Sequence, residues 1–166
     1  VITSNHQSTW ETLAFQTIFP AHTWVLKKQL LWLPIFGWSL ALLKPIVIDR
    51  GDKFQSIKKV IKQGEDRLNN GISVVIFPEG TYFKDGKVRP FRPGGAVLAI
   101  GTGMKVVPVA IHSKANIEGL LIKGTWKNPL RVIIGEPFSV EGKTYDDRYD
   151  VARKTQKSVL DLLNSD

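Results

Sequence analysis

The stretch Ser73-Val74-Val75-Ile76-Phe77-Pro78-Glu79-Gly80-Thr81 joins a short apolar run to a polar turn. Residues 73–76 predict a buried β-strand, because a short run of β-branched residues next to turn residues is typical of one. The polar residues lie at the carboxyl end of this strand, which is where open α/β sheets bind ligands. The stretch therefore predicts an α/β sheet with a site at the end of this strand.

The rest of the chain alternates predicted strands and helices. Residues 54–68 carry apolar side chains at helical spacing, and Asn70-Gly71 predicts the end of that helix. Other strands are predicted at residues 1–4, 24–26, 45–48, 106–111 and 130–135, with Pro108 at a bulge or an edge. A helix is predicted to run from an N-cap at Ser4 or Asn5 toward Pro20, and two short helices are predicted to be separated around Pro34 and Gly37. Two further helices are predicted over residues 94–100 and 152–163. This order predicts a single α/β domain over residues 1–166, a mixed sheet flanked by helices on both faces.

The composition limits the chemistry available to the chain. Its 166 residues are 43% hydrophobic and 23% charged, which is enough to bury one core. The absence of cysteine excludes disulfides, thiolate metal sites and a cysteine nucleophile. The net charge of +8 predicts an anionic partner: a small-molecule phosphate, a lipid headgroup surface or nucleic acid. The chain begins at Val1 with neither an initiator Met nor a signal peptide, so we expect that an N-terminal part, with any membrane anchor in it, is missing.

A second polar segment, Asn5-His6-Gln7-Ser8-Thr9-Trp10-Glu11, follows the first predicted strand. In a continuous helix five residues turn the direction by about 500°, so His6 and Glu11 would point about 140° apart. If His6 instead precedes the first turn, the Glu11 carboxylate can reach back to the imidazole. It would then accept from one ring nitrogen and leave the other able to take a proton from a hydroxyl. The alternative is a surface histidine at a helix start, with Glu11 as an acid that the helix dipole favours.

The turn after the central strand also offers groups that suit ligand binding. The Glu79 carboxylate can accept hydrogen bonds from sugar or glycerol hydroxyls, and Gly80 lets backbone amides approach a ligand oxygen. Taken alone, this turn is better explained as an ordinary connection from a strand to a loop.

The two segments together, in this order, resemble the signatures of the glycerolipid acyltransferase superfamily. Those signatures are a histidine and an acid separated by four residues, and a Phe-Pro-Glu-Gly-Thr-Arg block. Ile48-Asp49-Arg50 and Val107-Pro108-Val109 are similar to two further blocks of the family, so the resemblance covers about residues 4–111. The member type that it indicates is lysophosphatidic acid acyltransferase, with a glycerol-3-phosphate acyltransferase-like fold. The chain departs from the pattern at Glu11, where the family more often has Asp, and at Tyr82, where it has Arg.

The resemblance implies direct acyl transfer without a covalent acyl-enzyme, a metal or a further cofactor. His6, oriented by Glu11, would deprotonate the free hydroxyl of lysophosphatidic acid, which attacks an acyl thioester carried by coenzyme A or acyl carrier protein. The acceptor- or phosphate-binding residues that it implies are Lys27, Arg50, Glu79, Gly80 and Thr81. Because a tyrosine cannot make the bidentate contact of the family arginine, Arg89 and Arg92 are added as compensating candidates.

The run between Lys28 and Lys44 is uncharged and is shorter than the roughly 20 residues that span a bilayer. Its Trp32 and Trp38 either pack in the core or, bordered by Lys27, Lys28 and Lys44, enter a lipid headgroup layer. With the net charge, the resemblance predicts an enzyme associated with an anionic membrane surface, at the cytoplasmic face of the cell (inner) membrane. Nucleic acid is not an expected partner, since the chain has none of the known recognition sequences.

Two alternative functions stay open. Within the superfamily, Tyr82 allows another acceptor, such as glycerol phosphate, another lysophospholipid or an acyl-ornithine. Outside it, a non-catalytic basic lipid-binding module explains the charge but not the ordered blocks. His22, predicted in a turn, and His112, predicted at a strand end, lack metal-ligand spacing and are interpreted as structural or surface residues.

Overall fold

The computed structural model describes residues 1–7, 11–32, 34, 36–48, 51, 53–81, 87–112 and 131–165. The strands in these ranges are β1 (Ile2–Ser4), β2 (His22–Lys27), β3 (Ile46–Ile48), β4 (Ser73–Ile76), β5 (Val107–His112) and β6 (Arg131–Ile134). The α-helices are α1 (Glu11–Ile18), α2 (Phe36–Leu42), α3 (Lys53–Asn69), α4 (Gly94–Thr102) and α5 (Arg148–Leu163). Two 3-10 helices cover Lys28–Trp32 and Tyr145–Asp147.

The strands form one mixed sheet in the order β3-β2-β4-β1-β5-β6. Strands β1 to β5 all run parallel to one another, and β6 runs antiparallel to β5. The carboxyl ends of parallel strands lie together, so one edge of the sheet, here called the carboxyl edge, is formed by Ser4, Lys27, Ile48, Ile76 and His112. The predicted α/β class and the mixed sheet are confirmed.

Helices cover both faces of this sheet, as predicted, because successive strand residues point to opposite sides. On one face Val74 belongs to a buried cluster with Val60 of α3 and Leu98 of α4. On the other face Val75 packs in a cluster with Phe15 of α1. The central strand is therefore buried on both sides, which is what its continuous apolar run indicates.

The predicted N-cap and the predicted position of Gly37 were wrong. The Ser4 hydroxyl donates to the Asn5 carbonyl, and the Asn5 side chain pairs with the backbone of Ile111, so neither side chain caps α1. Gly37 lies inside α2 and does not separate the two helical pieces, because α2 packs closely against the preceding 3-10 helix.

Of the two predicted positions for Pro108, the edge was wrong, but a one-residue shift in pairing, as at a bulge, lies beside it on the side of β5 that faces away from β1. Strand β5 is internal, and its register with β1 continues through Pro108 without an extra residue. The Val107 N–H donates to the Val1 carbonyl, so the Pro108 nitrogen points away from β1. On that side Val106 bridges to Phe138 and Val109 lies opposite Ile134, so an advance of three residues on one segment matches four on the other. The missing N–H of Pro108 falls in this irregular stretch and costs little.

Candidate active site

The candidate site lies at the carboxyl edge, where the neighbouring strands β1 and β4 end. Asn5 follows β1 directly and is fully buried. Its amide nitrogen donates to the Ile111 carbonyl at 2.9 Å, and its Oδ1 accepts from the Ile111 N–H at 2.7 Å. This pair of hydrogen bonds fastens the end of β1 to β5 immediately before His6.

His6 and Glu11 meet in the way that their spacing allows only outside a continuous helix. His6 lies in non-helical backbone, and Glu11 is the first residue of α1. His6 Nδ1 lies 2.5 Å from Glu11 Oε2, and the Gln7 N–H donates to Glu11 Oε1 at 2.7 Å. Because a carboxylate can only accept, Nδ1 carries the proton and the neutral imidazole keeps its basic lone pair on Nε2.

Glu11 is fully buried, which strengthens its effect on the imidazole. A charge in a low-dielectric surrounding interacts more strongly than one in water, and this carboxylate faces the ring that would become positive on taking a proton. The arrangement has the logic of a base and the acid that orients it.

The plane of the His6 ring is set by an aromatic stack. The ring stacks on Phe77, with the centroids 4.2 Å apart and the planes 12° apart. Phe77 in turn stacks on Trp24 at 5.5 Å. Phe77 thus holds one face of the ring, and Glu11 holds its Nδ1 side. The His6 side chain is still 17% exposed, so part of the ring faces solvent.

Glu79 acts within the protein as a backbone clamp. Its buried carboxylate accepts from the His6 N–H through Oε1 and from the Arg89 N–H through Oε2, each at 2.8 Å. Burial raises the pKa of this carboxyl, and the two amide hydrogen bonds offset part of that effect. Glu79 therefore joins three segments of chain around His6, and its predicted contact with the acceptor stays a prediction.

Gly80 and Thr81 complete the turn after β4. Gly80 adopts a φ of 79°, a left-handed conformation that favours glycine, and its N–H donates to the Phe77 carbonyl at 3.1 Å. Thr81 is exposed. The amides of His6, Gln7 and Gly80 all donate within the protein, so their hydrogen bonds hold the site together.

The predicted basic residues are only partly placed by the structure. Lys27 is the last residue of β2 at the carboxyl edge and is half-buried. Arg89 is half-buried beside Glu79, and Arg92 is exposed, with its N–H donating to the Pro78 carbonyl at 3.0 Å. Arg50 and Tyr82 lie outside the described residues. Phosphate binding by any of these side chains stays a prediction.

The predicted turn position of His22 was wrong. His22 is the buried first residue of β2, at the opposite edge of the sheet. Its Nδ1 donates to the Pro20 carbonyl at 2.9 Å, so its Nε2 accepts from the Gln16 amide at 3.2 Å. His112 ends β5 and is half-buried. Within the described ranges no cluster of three or more potential ligands could hold a metal ion, and the predicted absence of a metal stays a prediction.

Sequence reasoning missed the roles of Asn5, Phe77 and Glu79 in positioning His6. Each role depends on a contact between segments that are distant in the chain, 106 residues apart for Asn5 and Ile111 and 73 for Glu79 and His6. A polar residue directly at the end of a buried strand was the one available signal for Asn5, since a buried amide needs partners.

The fold and the site together define an α/β domain with a histidine–carboxylate pair at the carboxyl edge of parallel strands. The model of the Acyltransferase family matches residues 1–112. The chain therefore belongs to the Acyltransferase family, as the four sequence blocks predicted.

Relatives and a solved structure agree with this assignment. The chain is 41% identical over 143 residues to a 1-acyl-sn-glycerol-3-phosphate acyltransferase of Pseudomonas aeruginosa, covering 86% of this chain and 55% of the relative. It is 30% identical over 167 residues to a chloroplastic 1-acyl-sn-glycerol-3-phosphate acyltransferase of Arabidopsis thaliana, covering 98% and 45%. The chain thus spans about half the length of the curated relatives it matches. The crystal structure of a 1-acyl-sn-glycerophosphate acyltransferase from Thermotoga maritima has the same fold, with a TM-score of 0.73, 23% identity, and 98% and 64% of the two chains covered.

Proposed function

We propose that the protein is an enzyme of phospholipid biosynthesis that acylates lysophosphatidic acid. It transfers a fatty acyl group from a thioester, on coenzyme A or acyl carrier protein, to the free hydroxyl and forms phosphatidic acid. The observation that carries the proposal is the contact between His6 Nδ1 and buried Glu11, within the part of the chain that matches the family. The names of the Pseudomonas and Arabidopsis relatives support the choice of acceptor.

In the proposed reaction His6 Nε2 takes the proton of the acceptor hydroxyl while the oxygen attacks the thioester carbonyl. The Glu11 carboxylate stabilises the imidazolium that forms. When the tetrahedral intermediate collapses, the carbon–sulfur bond breaks and the imidazolium returns its proton to the departing thiolate. The products are phosphatidic acid and a free thiol, and the histidine is regenerated neutral.

The acceptor phosphate is proposed to bind among the basic residues near the carboxyl edge, with Gly80 and Thr81 lining the acceptor side and Glu79 positioning His6. Lys27 ends a strand at that edge, and Arg89 is tied to Glu79. The net charge of +8 favours a doubly charged phosphate and an anionic membrane surface. We propose that the enzyme works on the cytoplasmic face of the cell membrane. Among the helices in the described part of the chain, none is long and apolar enough to cross a bilayer.

An acceptor and donor panel tests this function. Purified protein is offered lysophosphatidic acid, glycerol phosphate, lysophosphatidylcholine or acyl-ornithine with acyl-coenzyme A or acyl-acyl carrier protein, and thiol release and lipid products are quantified. We expect one phosphatidic acid per thiol released, and a kcat/KM for lysophosphatidic acid at least about tenfold above the other acceptors. Faster acylation of any other acceptor would reassign the substrate.

Tyr82 is the residue that keeps the other acceptors open, and Tyr82→Arg tests it. An arginine restores the bidentate donor of the family, so use of phosphate acceptors should improve. An unchanged acceptor preference would show that this position does not determine it. A non-catalytic lipid-binding module is disfavoured because it has no use for a buried carboxylate behind a histidine.

A further inference from the structure

The 3-10 helix Lys28–Trp32 and α2 expose three large apolar side chains. The exposed fractions are 73% for Trp32, 67% for Trp38 and 83% for Leu42. We call these three residues the tryptophan face. Of the two interpretations that the sequence allowed for Trp32 and Trp38, packing in the core was wrong. Single exposed apolar residues are common on protein surfaces, whereas a cluster of large ones indicates an interaction surface.

The packing of α2 leaves Trp38 and Leu42 facing outward. A Cβ on Gly37 would lie 2.5 Å from the Leu31 carbonyl oxygen, so this side of α2 rests directly on the backbone of the 3-10 helix. Leu31 itself packs against the buried cluster on this face of the sheet. Trp38 and Leu42, four residues apart, share the same side of α2, and both are exposed. Their exposure is therefore a consequence of how α2 is seated.

The segment that carries the tryptophan face begins at the edge of the sheet that holds the candidate active site. The 3-10 helix starts at Lys28, directly after β2 ends at the carboxyl edge with Lys27. His6 lies at the same edge, after β1. Helix α2 then leads back to β3, whose first residue lies at the opposite edge. The segment that carries the face thus leads from the edge that carries His6 to the opposite edge.

Its charges favour an anionic lipid surface. Exposed Lys28 and Lys44 border the segment, and the sequence between them contains no acidic residue. Exposed tryptophans suit the headgroup region, where an apolar ring with a polar N–H is well solvated. An apolar face with a basic border is typical of segments that bind at a membrane interface, and each nearby lysine adds attraction to anionic lipids.

We propose that the tryptophan face docks on an anionic lipid surface, with Trp32, Trp38 and Leu42 among the headgroups and Lys28 and Lys44 at the lipid phosphates. The carboxyl edge then lies next to the bilayer that holds the acceptor. This consequence for catalysis rests on the proposed function, whereas the docking itself is tested without it.

Vesicle binding of the purified protein tests the docking. The variant Trp32→Ser/Trp38→Ser/Leu42→Ser is compared with the control Ile134→Ser/Tyr149→Ser, which changes exposed apolar residues on β6 and α5. On phosphatidylcholine–phosphatidylglycerol vesicles we expect the first variant to bind about tenfold or more weakly and the control to bind like the wild type. The advantage of these vesicles over pure phosphatidylcholine should shrink in high salt.

Tryptophan quenching by brominated lipids locates the contact even if other parts of the protein also bind lipid. We expect Trp32→Phe/Trp38→Phe to lose much of the quenching and Trp24→Phe, which changes a buried tryptophan, to retain it. Unchanged quenching in the first variant overturns the proposal. A serine variant that binds vesicles like the wild type also overturns it. The same holds if the serine variant keeps its lipid binding but changes its melting temperature or oligomeric state, because the face is then covered by protein.

Activity on a short-chain, monomeric lysophosphatidic acid separates this inference from the proposed function. The serine variant should keep its kcat/KM on that acceptor and lose rate only on vesicle-embedded acceptor. If the wild type were inactive on this acceptor, the proposed function would be contradicted, but the vesicle-binding and quenching results would still support the docking.

Discussion

His6 and His22 both lie at strand ends, and each directs Nδ1 at an oxygen atom of the protein. His6 follows the carboxyl end of β1 and faces the buried Glu11 carboxylate. His22 begins β2 at the opposite edge, and its nitrogens are held by the Pro20 carbonyl and the Gln16 amide. The two histidines thus differ in the charge of the partner that holds Nδ1.

Under the proposed function, that difference separates a base from a structural histidine. Both partners fix the same tautomer, but the charged carboxylate stabilises an imidazolium more strongly than a neutral carbonyl does. The hydrogen bonds of His22 occupy both nitrogens with neutral groups. In the proposed reaction the histidine at the carboxyl edge receives a proton, whereas the histidine at the opposite edge makes contacts only within the part of the fold around the start of β2.

The largest effect that sharpens this comparison is expected for Glu11→Gln. The amide would give His6 a neutral partner like that of His22, and an amide donor toward Nδ1 would favour the tautomer with a protonated Nε2. We expect kcat to fall on the order of 10³-fold, measured as thiol release under saturating acceptor. The matched control is Glu11→Asp, which keeps the charge and should lose far less; equal losses in both variants would show that charge is not the determinant.

Glu79→Gln tests whether the second buried carboxylate positions His6 or binds the acceptor. Glutamine has one carboxyl-type oxygen, so one of the amides of His6 and Arg89 loses its acceptor. We expect kcat to fall about 10- to 100-fold through misplacement of the ring. The KM for lysophosphatidic acid should stay near the wild-type value, and a rise in KM at constant kcat would instead place Glu79 on the acceptor.

A smaller effect, mainly on stability, is expected for Asn5→Ala. The change leaves the buried N–H and carbonyl of Ile111 without their partners, which should cost about 1–3 kcal/mol of the free energy of unfolding in urea. Asn5→Asp is a useful companion, since its carboxylate still accepts from Ile111 but cannot donate to it. A wild-type stability for Asn5→Ala would show that the end of β1 is held by other contacts.

Local patterns predicted most of the fold. Strand β4 and helix α3 were predictable because each carries its periodicity within a few residues, and Asn70-Gly71 marks the helix end. The contact of His6 with Glu11 was predictable on the condition that His6 precede the helix, since five residues limit its geometry. Gly37 was misplaced because its helix depends on packing against the backbone of Leu31, which a sequence pattern does not contain.

The anchoring of the site was beyond sequence reasoning for the same physical reason. The hydrogen bonds of Asn5 to Ile111 and of Glu79 to His6 end on backbone atoms. Every residue has such atoms, so they leave no signature at the far end of the contact. The resemblance to a family names Glu79 as important, but only the structure shows that its carboxylate holds the backbone of the histidine.

The most direct test of the account compares His6→Ala with His22→Ala in the same acyl-transfer and thermal-melting assays. We predict that His6→Ala lowers kcat/KM for lysophosphatidic acid on the order of 10³-fold or more at temperatures where the variant is folded. His22→Ala should lower the melting temperature and keep kcat at temperatures where it is folded. Undiminished acyl transfer by His6→Ala would contradict the assignment of His6 as the base.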